Sequence, residues 1–223
     1  MFVTVNGARL YFDVESAGLV PDGAATRERP TLLLHGGPGF DHSGYRPAFS
    51  ALADVAQVIY LDHRGNGRSG GTDPADWTLA QQGNDVRGFC DALGIVKPIV
   101  LGTSFGGFVA QSYATRHPDH PGKLILASTA ARMEFPLVFE AFERLGGTGG
   151  AGGGGLLARP SSTSRLRYRD ARLLLYRGRP GGGPVLSRGI IRDDVAIHFN
   201  GPANEHGRMD FRDALRRCVA RCW

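Results

Sequence analysis

At 223 residues, with 42% hydrophobic and 21% charged residues, the chain is long enough for one domain around a single core, and its mixed composition excludes a fibrous or wholly disordered protein. No apolar run approaches the roughly 18 residues of a membrane span, and Met1-Phe2-Val3 enters strand-like sequence without a basic and then apolar leader, so neither spanning nor export is expected. The formal net charge is +5, yet Arg144 to Arg188 holds nine arginines against one acid, Asp170, so the basic character belongs to that window alone.

Phe2 to Asn6 and Leu10 to Glu15 alternate apolar and polar residues around Asn6-Gly7, the signature of a hairpin. Thr31 to Leu34 is a continuous apolar run that opens onto His35-Gly36-Gly37-Pro38-Gly39. A turn this rich in glycine can aim backbone N–H groups at a developing oxyanion, and Gly37 is the candidate donor. His35 and Gly36 are read as loop-structuring, because a catalytic histidine in such an arrangement follows the serine in sequence.

Val58 to Leu61 is a second apolar run, followed by Asp62-His63-Arg64-Gly65-Asn66-Gly67-Arg68-Ser69. Gly65 to Gly70 formally matches G-x-G-x-x-G, but Gly71-Thr72-Asp73-Pro74 continues as turn and helix signals wait until Thr78, so a dinucleotide site is rejected. Asp62 and Arg64 are expected to form a hydrogen-bonded pair that fixes this loop. Thr78-Leu79-Ala80-Gln81 reads as a capping box, and Leu79, Val86, Phe89, Cys90 and Leu93 recur at helical spacing until Gly94.

Ile99 to Leu101 leads into Gly102-Thr103-Ser104-Phe105-Gly106-Gly107, and a helical stretch from Phe105 to Arg116 follows, ending at His117-Pro118. A serine on a tight strand-to-helix turn, with glycine two residues to either side, is a nucleophile elbow: Ser104 is the candidate nucleophile, and the Phe105 N–H is the second oxyanion donor. Leu124 to Leu126 is a further apolar run. Runs without alternation are expected of a parallel sheet covered on both faces, and their interleaving with helices predicts the α/β class.

Together the three motifs resemble the α/β-hydrolase superfamily and, within it, the proline iminopeptidase family of serine peptidases. His35 to Gly39 is similar to that family's HGGPG turn, Asp62 to Ser69 to its D-x-R-G-x-G-x-S stretch, and Gly102 to Gly107 to its G-x-S-x-G-G elbow. The resemblance spans residues 1 to 145 and an island at 188 to 217, where Val195 to Gly201 and Glu205 to Asp210 resemble the family's cap. It implies a mostly parallel α/β-hydrolase sheet with flanking helices and a partial cap. It further implies release of an N-terminal residue, typically proline, from a small peptide through an acyl-enzyme, with no cofactor and no metal. In the family, cap carboxylates bind the substrate's free amine, and Glu205 is the residue nominated here. Serine at the elbow disfavours epoxide hydrolases and haloalkane dehalogenases, which place Asp there. Ester or carbon–carbon hydrolysis stays open, as does a catalytically dead remnant or binding module.

The organisation expected from these signals is a core at 1–130, the start of a cap at 131–145, a Gly/Arg-rich stretch at 146–188, a cap-like remnant at 189–217 and a tail at 218–223. Arg144 to Arg188 also holds 12 of the chain's 33 glycines. It lacks RGG-type repeats and regular aromatic interleaving, so nucleic acid is not an expected partner. Helical periodicity stops abruptly at Leu145 and cap-like sequence resumes at Gly189, a pattern read as out-of-frame translation, with a genuine insertion such as a flexible linker as the alternative. Such a composition cannot offset its ordering entropy and is expected to be poorly ordered.

No buried-strand pattern after Leu126 lies outside that window, so the usual triad Asp and His are expected to be missing, with very weak turnover as the consequence. Asp193, Asp194, His198 and His206 follow Ser104 in order only formally and are read as cap residues. The elbow strand is expected to lose its neighbours on one side. Cys90, Cys218 and Cys222 lack C-x-x-C spacing, which fits a reduced, cytoplasmic setting. His42, His117 and His120 are expected at the surface or in loops, and Trp77 and Tyr45 lie near the pocket loops, where packing explains them as well as a pocket role does.

Overall fold

The computed structural model describes residues 1–28, 30–46, 48–138, 140, 189–200 and 204–219. The Gly/Arg-rich stretch 146–188, the end of the expected cap start and Cys222 lie outside these residues. Among the described residues eight strands are formed: β1 (Phe2–Val5), β2 (Ala8–Glu15), β3 (Leu19–Asp22), β4 (Ala25–Glu28), β5 (Pro30–Leu34), β6 (Gln57–Leu61), β7 (Ile99–Thr103) and β8 (Lys123–Ala127). Six of them make one sheet in the order β1-β2-β6-β5-β7-β8, antiparallel from β1 through β6 and parallel from β6 onward. β3 and β4 pair as a separate hairpin.

The β1–β2 turn forms where Asn6-Gly7 places it, with φ of 48° and 75° at its two residues, the left-handed pair that a two-residue hairpin requires. Helix α1 (Leu79–Ala92) starts at Thr78, whose hydroxyl accepts the Gln81 N–H. The reciprocal half of the capping box is absent: the Gln81 side chain donates to Asp85 instead. Leu93, at the helix end, is exposed rather than part of the buried stripe.

Helix α2 (Phe105–Arg116) crosses α1 closely enough that a Cβ on Gly83 would sit 2.8 Å from the Tyr113 nitrogen, and Ser112 Oγ donates to the Leu79 carbonyl. Val86, Phe89, Val109 and Tyr113 of these helices cover Leu32, Leu34 and Val100 on one face of the sheet. On the other face Val58, Tyr60 and Leu101 meet Tyr45, Phe49 and Leu52.

Coverage on both faces is therefore met at β6, whose Val58 to Leu61 are all buried, but not at β8, where Ile125 and Leu126 are 45% and 39% exposed. β7, which carries the elbow, is flanked by β5 and β8. The expectation that this strand loses a neighbour is corrected: the open edge among the described residues is one strand further out, at β8. In the second part of the chain, α3 (Asp193–Phe199), α4 (Glu205–Arg208) and α5 (Arg212–Val219) lie against the core, with Val195, Phe199 and Met209 buried in it.

Candidate active site

Ser104 closes β7 and caps α2 with φ 50° and ψ −116°, a conformation that costs an L-residue energy and that persists because its surroundings fix it. Its N–H donates to the Ala127 carbonyl at 3.0 Å, and its carbonyl accepts the Gly107 N–H at 3.0 Å and the Thr129 hydroxyl at 2.9 Å. The glycines are steric necessities. A Cβ on Gly102 would overlap the Gly106 carbonyl, one on Gly106 would overlap the Leu34 carbonyl, and one on Gly107 would sit 2.5 Å from Thr129 Cβ. The serine is exposed, and its hydroxyl has no hydrogen-bond partner among the described residues.

The loop after β5 lies directly against this turn, since a Cβ on Gly36 would be 3.0 Å from Ser104 Cβ and 3.0 Å from the Thr103 carbonyl oxygen. The Gly36 N–H is already engaged, donating to Tyr45 Oη at 2.6 Å. Gly37, at φ 69°, and Phe105, first residue of α2, carry N–H groups that meet no acceptor among the described residues. Phe105 is one of the donors that every helix N-terminus leaves unpaired.

His35 is fully buried against His63, ring centroids 4.4 Å apart. The His63 N–H donates to His35 Nε2 at 3.3 Å, His35 Nδ1 pairs with the Gly36 carbonyl at 3.1 Å, and His63 Nε2 pairs with the His35 carbonyl at 3.2 Å. Burial holds both imidazoles below the usual histidine range. They are neutral and join the loop after β5 to the loop after β6.

The expected Asp62–Arg64 pair does not form. Asp62 accepts the His42 N–H at 3.0 Å, pairs with His42 Nδ1 at 2.7 Å and accepts the Arg68 N–H at 3.0 Å. Arg64 turns the other way and grips Asp85 of α1, with Nε at 2.7 Å and Nη2 at 2.8 Å. The chain leaves β6 at Leu61 and turns here, so the two residues, separated by a single position, reach different partners; each still anchors the loop. The loop itself closes through Gly65 N–H to the Gly70 carbonyl, and α1 starts only at Leu79.

His42, expected at the surface or in a loop, lies in the short turn His42–Gly44 but is 2% exposed, stacked on Tyr11 and held between Asp62 and Asp13. Burial opposes its charged form, but the Asp62 hydrogen bond and the charges of Asp62, Asp13 and Asp41 outweigh it and raise its pKa. His117 and His120 are half-buried, bonded to Asn84 and Tyr113.

The cap-like residues settle over the same loops. The Arg192 N–H donates to the Gly39 carbonyl at 2.6 Å, the Ile190 N–H donates to Asp41 Oδ2 at 3.1 Å, and Phe199 packs on Phe105 at 4.8 Å. His198 Nε2 bonds the Trp77 carbonyl at 2.7 Å, consistent with a packing role. Glu205 caps the start of α1, accepting the Leu79 N–H at 3.0 Å, and its other oxygen faces Arg208 at 3.5 Å. Its carboxylate is thus engaged in joining α4 to α1, a role the sequence reading did not give it. His206 is buried among Phe105, Phe108 and Phe199, with Nδ1 against Asn200 Oδ1 at 3.2 Å and Nε2 unpartnered. Among the described residues, no histidine bonds the Ser104 hydroxyl.

Burial pushes the His206 imidazole down to about 3. In the unfolded chain it takes up a proton near pH 6.5, whereas in the folded state it stays neutral. The stability tied to it is therefore full above that pH and is lost as pH falls toward the folded value. His42 has the opposite sign, its contribution being present below pH 6.5 and lost as pH rises through its raised pKa. His206→Leu is expected to spare about 3 kcal/mol of the stability lost between pH 7 and pH 4. Urea unfolding of both proteins at the two pH values checks this, and an equal acid loss would contradict it.

The family model described as alpha/beta hydrolase fold matches residues 30–174. The proline iminopeptidase PfmaB of Pestalotiopsis fici is 38% identical over 135 residues, which cover 58% of this chain and 43% of that protein. A proposed carbamate hydrolase, RutD of Caulobacter sp. strain K31, is 33% identical over 131 residues, covering 59% of this chain and 46% of that protein. A proline iminopeptidase structure from Mycobacterium smegmatis superposes with a TM-score of 0.66 at 24% identity, over 96% of this chain and 77% of that one, and supports the fold alone. The chain spans less than half the length of the two curated relatives in these matches.

Proposed function

Because the chain belongs to the α/β-hydrolase fold family, we propose that Ser104 is its nucleophile and that it hydrolyses a small peptide or ester through an acyl-enzyme, with iminopeptidase-like release of an N-terminal proline as the specific reading. The observation that carries this is the strained Ser104 turn at the head of α2, set against the loop that bears Gly37. The relative named proline iminopeptidase and the HGGPG turn support the specific reading.

In this mechanism Ser104 Oγ attacks the scissile carbonyl, and the Gly37 and Phe105 N–H groups receive the oxyanion. Proton transfer is the weak half. His35 and His63 are neutral and bonded to each other, and the other described histidines are committed elsewhere or kept from charging by burial. Cleaving an amide requires a proton for the departing amine, so its rate is expected to lie several orders of magnitude below that of an intact triad. An aryl ester, whose phenolate leaves unprotonated, escapes that requirement.

The test compares p-nitrophenyl acetate with L-proline p-nitroanilide, using wild type and Ser104→Ala. Slow ester hydrolysis that disappears in the variant, with anilide cleavage near blank, is the expected result. Ester hydrolysis unchanged by Ser104→Ala would contradict the nucleophile assignment. Fast anilide cleavage that depends on Ser104 would show that a base reaches the serine after all. Carbamate hydrolysis is the second reading, favoured by the likeness to RutD, and an aryl carbamate in the same assay distinguishes it.

A further inference from the structure

Tyr45 follows the short helical turn His42–Gly44, packs its ring against Phe49 at 5.5 Å and reaches the gap between the oxyanion loop and the elbow. Its Oη accepts the Gly36 N–H at 2.6 Å and the Thr103 hydroxyl at 2.5 Å. These are the residues immediately before Gly37 and Ser104. A Cβ built on Gly36 would lie 2.8 Å from Tyr45 Oη and 3.0 Å from Ser104 Cβ, so the phenol and the nucleophile flank the same small volume.

The Gly36 N–H takes one lone pair of the phenol oxygen, and with the Thr103 hydroxyl donating to the other, the phenol's own proton has no acceptor among the described residues besides Thr103 Oγ1. We propose that Tyr45 is a catalytic residue, donating this O–H as a third hydrogen bond to the oxyanion. The inference rests on the reading of Ser104 as nucleophile. When Ser104 Oγ bonds the carbonyl carbon, its hydroxyl proton passes to solvent water at the exposed serine and the C=O π pair moves onto oxygen, which accepts from the Gly37 N–H, the Phe105 N–H and the Tyr45 O–H. The phenol stays protonated, and when the intermediate collapses the pair returns to the C=O bond as the leaving group departs. An anionic oxygen is a much stronger acceptor than a hydroxyl, so the free rotor turns toward it.

The bridge could hold the two loops in place without donating anything, and two variants separate these roles. Tyr45→Phe removes the proton together with the bridge. Thr103→Val breaks the bridge on the elbow side and leaves the Tyr45 proton in place. On p-nitrophenyl acetate, Tyr45→Phe is expected to lower kcat about 100-fold with KM unchanged, whereas Thr103→Val changes kcat by less than about threefold. Thermal melting of each variant shows whether it folds.

Equal losses of kcat in the two variants, or no loss in Tyr45→Phe while Ser104→Ala abolishes hydrolysis, would overturn the role of Tyr45 and leave Ser104 standing. If Tyr45→Phe does not fold, Thr103→Val decides alone: near-wild-type kcat supports the donor, and a loss as deep as that of Ser104→Ala overturns it. Hydrolysis indifferent to Ser104→Ala would overturn both assignments.

Discussion

Gly106→Ala is expected to leave little folded protein, because the added methyl has no space to occupy. At that position it would overlap the Leu34 carbonyl and lie 2.6 Å from the His35 carbonyl oxygen, and both are backbone atoms at the end of a central strand. Relief requires α2 to back away from β5, which breaks the contact of Phe105, Val109 and Tyr113 with the sheet and reopens the elbow. A cost of about 3 kcal/mol or more is large against a total stability of roughly 5–15 kcal/mol. Gly44, where a Cβ meets nothing within 4 Å, is the control: Gly44→Ala is expected to shift stability by no more than about 0.5 kcal/mol. Urea unfolding midpoints check both, and a Gly106→Ala protein as stable as the control would show that the elbow is not sterically closed.

Asp85→Ala is expected to cost about 4 kcal/mol, since removing one member of a buried pair strands the other charge. Arg64 and Asp85 are both 2% exposed, and Asp85 also accepts from Asn6 and Gln81. The Ala variant leaves the guanidinium with the Asn6 carbonyl at 2.9 Å and the peripheral Asp76 at 3.5 Å. Replacing both charges, as in Arg64→Leu with Asp85→Leu, is expected to restore much of the loss, because an apolar pair needs no compensation for desolvation. Equilibrium unfolding of the two singles and the double completes the cycle. A double variant no better than Asp85→Ala would mean that the pair serves chiefly to hold the 62–70 loop in shape rather than to satisfy each other's charge.

Features written in local sequence were legible before the fold was known. The Asn6-Gly7 turn, helix α2 from Phe105 to Arg116 and the Ser104 elbow depend on residues adjacent in the chain, and the structure places them as read. Partner choice was not legible. Asp62 and Arg64 are separated by one residue, but the turn between them sends one toward His42 and the other toward α1, a direction only tertiary packing decides. His42 reads as a turn residue, and nothing local announces that Tyr11 and Tyr60 will close over it. The β3–β4 hairpin was missed although Pro21-Asp22-Gly23 is a turn signal, because its flanking residues do not alternate. Tyr45 was legible only as a residue near the pocket loops, since nothing local announces that Gly36 and Thr103 will meet on its oxygen. Glu205 was chosen for its place in a cap-like segment, but the unpaired N–H groups at the start of α1 were the nearer claim on its carboxylate.

The central claim is that the β7–α2 turn makes Ser104 chemically distinct from the other serines of the chain. An organic fluorophosphonate, whose fluoride leaves without proton assistance from a triad, tests this most directly when the adduct is located by peptide mass mapping. One adduct on the peptide bearing Ser104, slow to form and absent from Ser104→Ala, is the predicted result. Labelling scattered over other residues, or the same labelling in Ser104→Ala, would contradict the claim and leave the chain a hydrolase fold without a working nucleophile.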